Sequence, residues 1–229
     1  MNTLHNFIFN VYPYICLAVF FMGSLARFDR DQYTWKSDSS QLLRKAQLRW
    51  GSNLFHGGIL FLFFGHLFGQ LTPHGLYEIF VTASQKQLIA VVAGGVAGGL
   101  CFIGLTMLLH RRLFDPRIRL TSHRTDIAIL VILWVQLVIG LSTLPASLHH
   151  VSDPQTMLRL AEYLQGIVLM QPNAALVAGV EWHFQAHMLL GMTIFLLFPF
   201  SRLVHVWSGF GTLAYIVRPY QVVRSRKLG

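Results

Sequence analysis

Four histidines stand inside long apolar stretches of this chain, where a titratable side chain is costly and needs a partner. His56 and His66 lie in one stretch, within Asn53-Leu-Phe-His56 and Gly65-His66. His187 and His205 lie in another, which opens Phe184-Gln-Ala-His187 and closes Phe198-Pro-Phe-Ser-Arg-Leu-Val-His205. Imidazole ligates haem iron well, so four of them make two bis-histidine sites, enough for two b-type haems. Covalent attachment is excluded because no Cys-x-x-Cys-His occurs. The two cysteines, Cys16 and Cys101, cannot hold an iron–sulfur centre and read as small packing groups.

The elements that must position these histidines are membrane helices. The chain has 229 residues, of which 54% are hydrophobic and 12% charged, which excludes an ordinary soluble domain. Five apolar runs, at 7–26, 54–71, 88–109, 127–144 and 186–207, are long enough or nearly so to cross a hydrocarbon core of about 30 Å. The expected architecture is all-α, a single integral membrane domain over 1–229, with five spans and the two haems between spans two and five. The first run is too long for the apolar region of a signal peptide and lacks a small-residue cleavage site after it.

The net charge of +9 would suggest nucleic acid in a soluble protein, but its placement says otherwise. Of the 18 Lys and Arg residues, 16 fall in segments 27–50, 110–124 and 202–229; only Lys86 and Arg159 fall on the other side. That is positive-inside asymmetry, predicting a periplasmic amino terminus and a cytoplasmic carboxyl terminus, with no nucleic-acid partner.

Depth decides how the histidines pair. His56 and His66 are ten residues apart, about 15 Å in rise; His187 and His205 are eighteen apart, about 27 Å if the helix is continuous. The two spans run antiparallel, so the outer pair is His66 with His187 and the inner pair His56 with His205. The inner pair is mismatched in depth by about 12 Å, which helix tilt and a kink at Pro199 must absorb. Gly57, Gly58, Gly65, Gly69 and Gly191 flank these histidines, where they could make room for a porphyrin face or serve tight packing. Arg111, Arg112 and Arg202 stand where inner-haem propionates could reach them, although interfacial anchors would look the same.

The remaining features read as structural. Pro13 should bend the first span, and Tyr12, Tyr14 and Trp35 suit an interface, with Tyr12 and Tyr14 equally able to face the bundle. Gly94, Gly95, Gly98 and Gly99 form overlapping Gly-x-x-x-Gly pairs that let a helix approach the third span. The fourth span has no ionisable residue after Asp126. Within 145–183, apolar residues from Met157 to Val168 recur at helical spacing, predicting an amphipathic helix on the outer surface. His183 precedes the last apolar run and reads as interfacial. His74, His110, His123, His149 and His150 read as loop residues, and the loop from Arg27 to Trp50 could dock a soluble partner.

Taken with Gln32-Tyr-Thr-Trp35, Thr72-Pro-His74 and Arg111-Arg-Leu-Phe114, the histidine motifs run nearly the length of the chain in one order. In that order they resemble the gamma subunit of the respiratory nitrate reductases, a quinol-oxidising membrane cytochrome b. The resemblance implies an oxidoreductase subunit of the bacterial inner membrane whose outer haem is held by His66 and His187 and inner haem by His56 and His205. It also implies a menaquinol or ubiquinol site against the outer haem, using Lys86, Gly65 and His66. Electrons would pass through the two haems to an iron–sulfur beta subunit and a molybdenum-cofactor alpha subunit, which reduces nitrate to nitrite. A lone lysine can donate to a quinol oxygen, although simple snorkelling would also place Lys86 at the membrane edge. The alternative within redox chemistry is the haem b subunit of a heterodisulfide-reductase-type complex. From other classes come a proton or metal transporter that uses membrane histidines, and a bare membrane anchor.

Overall fold

The computed structural model describes residues 2–31, 43 and 45–208, so the motif Gln32-Tyr-Thr-Trp35, half of the 27–50 loop and the basic tail beyond 208 lie outside the described residues. Among the described residues five helices are long and apolar enough to cross a membrane: Thr3–Arg30, Lys45–Leu71, Ala83–Phe114, Arg124–His149 and Trp182–Phe200. They are the first to fifth spans. Most outrun the apolar runs that announced them, because a helix continues into polar sequence until something stops it. The third starts at a capping box, in which Gln85 N–H donates to Thr82 Oγ1 at 3.3 Å and Thr82 N–H to Gln85 Oε1 at 2.9 Å. It stops at Asp115, extended ahead of Pro116, whose carboxylate caps the short helix Pro116–Leu120. The fourth runs through Pro145 to His149, so His149 sits in a helix turn rather than in the expected loop.

The proline of the first span is compensated by a named neighbour. Pro13 has no N–H to return to the carbonyl of Phe9, and the Tyr163 hydroxyl donates to that oxygen instead, at 2.7 Å. Tyr163 belongs to the amphipathic helix Gln155–Val168, which buries Leu160, Ala161, Tyr163 and Ile167. This helix ties two spans together at the outer end. Tyr14 donates to Ile167 O at 3.1 Å, and Gln165 Nε2 donates to Gln70 O at 2.9 Å. Tyr12 bonds Thr193 at 2.9 Å, so both tyrosines face the bundle.

The fifth span is broken rather than kinked. Its α-helix, Trp182–Leu197, gives way to a 3-10 turn at Phe198–Phe200, an extended Ser201 (φ −122°, ψ 176°) and a second 3-10 turn at Arg202–Val204. Pro199 cannot supply the N–H the helix needs, and its ring packs where a Cβ on Gly23 would lie 2.9 Å away. Arg27 of the first span donates from Nη1 to Pro199 O at 2.7 Å and to Ser201 O at 3.0 Å. The expected continuous rise of eighteen residues is therefore corrected: His205 stands on its own short turn, and its depth is set by the break.

Glycine packing also differs from expectation. The close crossing of the second and third spans runs through Gly51, Gly58 and Gly104; a Cβ on Gly58 would lie 2.6 Å from Cys101 Cβ, and one on Gly104 would strike Phe55 N. Of the four glycines singled out in the third span, Gly98 and Gly95 meet Leu141 and Leu144 of the fourth, while Gly94 and Gly99 have nothing within 4 Å. The second span packs on the third and on the amphipathic helix, and the fifth packs on the first and fourth. The second and fifth spans bury the smallest share of their apolar windows, 6% each against 28% for the first and third. They face each other through their histidines.

Candidate functional site

Two imidazole pairs lie between the second and fifth spans. His66 and His187 have ring centroids 6.2 Å apart with planes at 39°, and His56 and His205 are 6.3 Å apart at 74°. Each pair is the one expected from depth, and the break at Ser201 removes the mismatch that the inner pair carried.

Three of the four rings are oriented by their own helix turn. Nδ1–H of His56 donates to Ser52 O at 2.8 Å, that of His66 to Leu62 O at 2.7 Å, and that of His205 to Arg202 O at 2.6 Å. A proton fixed on Nδ1 leaves Nε2 with its lone pair, the form that ligates a metal. His187 differs. Its ring is held by the fourth span, and its Nδ1 is buried without a protein hydrogen bond.

The fit to a haem follows from these separations. A metal–imidazole bond of about 2 Å on each side, plus about 1 Å from nitrogen to ring centre, sets the two ligand centroids about 6 Å apart. Both pairs meet that value. Among the described residues no three His, Cys, Asp or Glu side chains gather to form a cage of protein ligands. Two imidazoles suffice only where a macrocycle supplies the remaining bonds to iron.

The other expected site residues are placed as follows. Lys86 is in the first turn of the third span, ahead of its apolar run, with its ammonium 3.5 Å over the Tyr77 ring. Among the described residues it makes no hydrogen bond to His66 or Gly65. Gly65 lines an open groove of about 550 Å³ with Phe61, Phe64, Phe68 and Gly69. No atom lies within 4 Å of where a Cβ on Gly57, Gly65 or Gly69 would be, whereas Gly58 serves helix packing. His183 lies beside Trp182 and belongs to neither pair. His74 forms an exposed pair with Glu78 at 3.2 Å, and His150 pairs with Glu181 at 2.9 Å.

Two of the three arginines, Arg112 and Arg202, join an inner network around Asp126 that the sequence did not announce. Arg112 Nη1 donates to Asp126 Oδ2 at 3.3 Å and to Ser122 Oγ at 2.9 Å, while Arg202 Nη1 lies 3.7 Å from the same carboxylate oxygen. Arg111 donates to Leu43 O at 2.7 Å. Asp126 had been read only as the start of a span; its place beside basic residues at the inner ends of two other spans was the missed signal. Since Arg202 O also accepts from His205, the network reaches the inner histidine pair through one residue.

These features define a class: an all-helical membrane protein of five spans that presents two imidazole pairs at different depths along the same two helices. The chain belongs to the nitrate reductase gamma subunit family, whose model matches residues 5–226. It is 50% identical over 228 residues to the respiratory nitrate reductase 2 gamma chain of Escherichia coli (strain K12), across 99% of this chain and 100% of that one. It is 48% identical over 227 residues to the respiratory nitrate reductase 1 gamma chain of the same organism, with the same coverage. The nitrate reductase gamma chain of Bacillus subtilis (strain 168) is 37% identical over 221 residues, 96% of this chain and 97% of that one. Membership makes the chain a subunit of an oxidoreductase complex and favours nitrate reductase over the heterodisulfide-reductase-type alternative.

Proposed function

We propose that this chain is the quinol-oxidising cytochrome b of its nitrate reductase, with one haem b held by His66 and His187 and a second by His56 and His205. The observation that carries the reading is the separation of the two ring pairs, 6.2 and 6.3 Å, each suited to one iron. Bound there, haem supplies a one-electron couple at each of two depths in the membrane.

This chain's residues do the rest. Nδ1 bonds to carbonyls fix the tautomer of His56, His66 and His205, and so keep their Nε2 atoms available as ligands. At the outer side Lys86 binds the headgroup of menaquinol or ubiquinol beside His66, whose Nδ1 is taken by Leu62 O, with Gly65 leaving the approach open. The lysine ammonium donates to a quinol oxygen and steadies the negative charge that forms as the hydroxyl proton leaves. Protons are released to the periplasm, and electrons leave on the cytoplasmic side to an iron–sulfur beta subunit and a molybdenum-cofactor alpha subunit. Moving charge across the membrane in this way stores about 2.3 kcal/mol per charge per 100 mV. Arg111, Arg112 and Arg202, at the inner end, would meet the haem propionates. The chain lies in the bacterial inner membrane with its amino terminus outside, as the positive-inside asymmetry requires.

The test is an optical redox titration of membranes carrying single His→Ala changes. Loss of one haem component at positions 66 and 187, and of the other at 56 and 205, is expected. Four variants with unchanged spectra would remove the proposal.

A further inference from the structure

The fourth span has no ionisable side chain in its apolar part, yet it carries one amide at mid-length, Gln136. A primary amide in hydrocarbon is costly unless its groups are engaged. Gln136 Nε2 donates to the main-chain oxygen of His187 at 3.0 Å and lies 3.5 Å from the Nε2 of the same imidazole. Two glycines make room for this contact. A Cβ on Gly140, one turn further along the fourth span, would lie 2.7 Å from His187 Cε1, so the ring rests against bare backbone. A Cβ on Gly191, one turn past His187, would lie 3.2 Å from the Gln136 amide.

The contrast with the other three histidines gives the contact its meaning. Their Nδ1 atoms bond carbonyls of their own turn, whereas His187 Nδ1 and Gln136 Oε1 are both buried without a protein hydrogen bond. His187 is the one ring of the four whose orientation comes from another helix. Outer groups that orient a ligating imidazole fix its plane and tune its basicity.

We infer that Gln136, seated between Gly140 and Gly191, is the positioning residue of the outer histidine pair: through its bond to His187 O it sets the position and plane of the His187 ring. The inference rests on the haem reading above and deepens it. A polar residue kept only for helix packing would affect both haems alike or neither; this one acts on the outer component alone.

The experiment uses native membranes containing the assembled complex, with subunit assembly checked by co-purification. His187→Ala is compared with Gln136→Met, which keeps length and removes the amide, and with Gln136→Asn, which keeps the amide on a shorter stem. Three signals are read for each haem: the midpoint from optical titration, the low-spin EPR line that reports imidazole orientation, and the rate of haem transfer to apomyoglobin. For Gln136→Met the outer component should lose haem about tenfold or more faster, with a displaced midpoint and EPR line, and the inner component should be unchanged. Gln136→Asn should fall between wild type and Gln136→Met, and it carries the test if Gln136→Met fails to assemble. If His187→Ala removes the outer component while both Gln136 variants keep wild-type signals, the role given to Gln136 is wrong and the haem assignment stands. If His187→Ala leaves both haems in place, the assignment and the inference fall together.

Discussion

Arg27 Nη1 lies 2.7 Å from the main-chain oxygen of Pro199, so the first span holds open the break in the fifth. With a second bond to Ser201 O at 3.0 Å, one guanidinium satisfies two carbonyls freed where the helix stops. The break lets Arg202 turn its carbonyl to His205 and its side chain to Asp126. Arg27→Leu should cost roughly 1–3 kcal/mol, the desolvation penalty of unsatisfied buried acceptors. Heat inactivation of the complex measures the loss, and the inner spectral component should be lost before the outer.

Asp126 is shared by Arg112 and Arg202, at 3.3 and 3.7 Å, with 8% of its surface exposed. Asp126→Ala leaves buried Arg112 and half-buried Arg202 facing each other, and breaking such a pair costs up to about 3–5 kcal/mol. Assembly of the variant into the complex should fall sharply. Asp126→Asn, which still accepts a hydrogen bond, should fall less.

Much of this arrangement was legible in the sequence, and the parts that were not have physical reasons. Apolar length announced five spans, and histidines at four depths in two of them announced their own pairing. The sequence could not distinguish a kink from a break at Pro199, because the deciding groups, Gly23 and Arg27, are more than 170 residues away along the chain. Nor could it separate glycines that pack, such as Gly58 and Gly104, from those that leave space, such as Gly57 and Gly65, since only the neighbouring helix makes the difference. Gln136 and Gly140 lie one turn apart on an otherwise apolar helix, and that spacing was a readable signal of a contact. The apolar run 88–109 leaves Lys86 outside the third span, although Thr82 and Gln85 spell a helix start.

Glycine substitutions test the packing assignment. Gly104→Ala should destabilise by about 1–3 kcal/mol, because its methyl would strike the backbone of the second span at Phe55. Gly94→Ala, with nothing within 4 Å, should change stability by no more than about 0.5 kcal/mol. Chemical or thermal denaturation of the two variants, side by side, gives the comparison.

The outer loop should respond to acid. The carboxyl of Glu181 is held below its usual range by its own backbone N–H and by His150, 2.9 Å away. A depressed carboxylate contributes stability above its unfolded pKa and loses it as pH falls through the folded value. Amide hydrogen exchange around 150–181 should therefore be constant from neutral pH down to the ordinary carboxylate range and quicken, after correction for intrinsic rates, only below it. His150→Ala should make that acid-induced change smaller and complete it at higher pH.

Lys86 carries the most direct prediction about substrate. Lys86→Ala should raise KM for a quinol analogue about tenfold or more, the loss of one charge-assisted bond. Haem content and both midpoints in the absence of quinol should stay as in wild type. A parallel loss of haem would mean that the lysine supports the fold rather than the quinol.

The central claim is that each imidazole pair clamps one iron between the second and fifth spans. Electron cryomicroscopy of the native complex tests it most directly. The account predicts two macrocycle densities, one with iron between His66 and His187 and one with iron between His56 and His205. A map in which the two helices close on each other with no macrocycle between these pairs, or in which other side chains hold the iron, would contradict it.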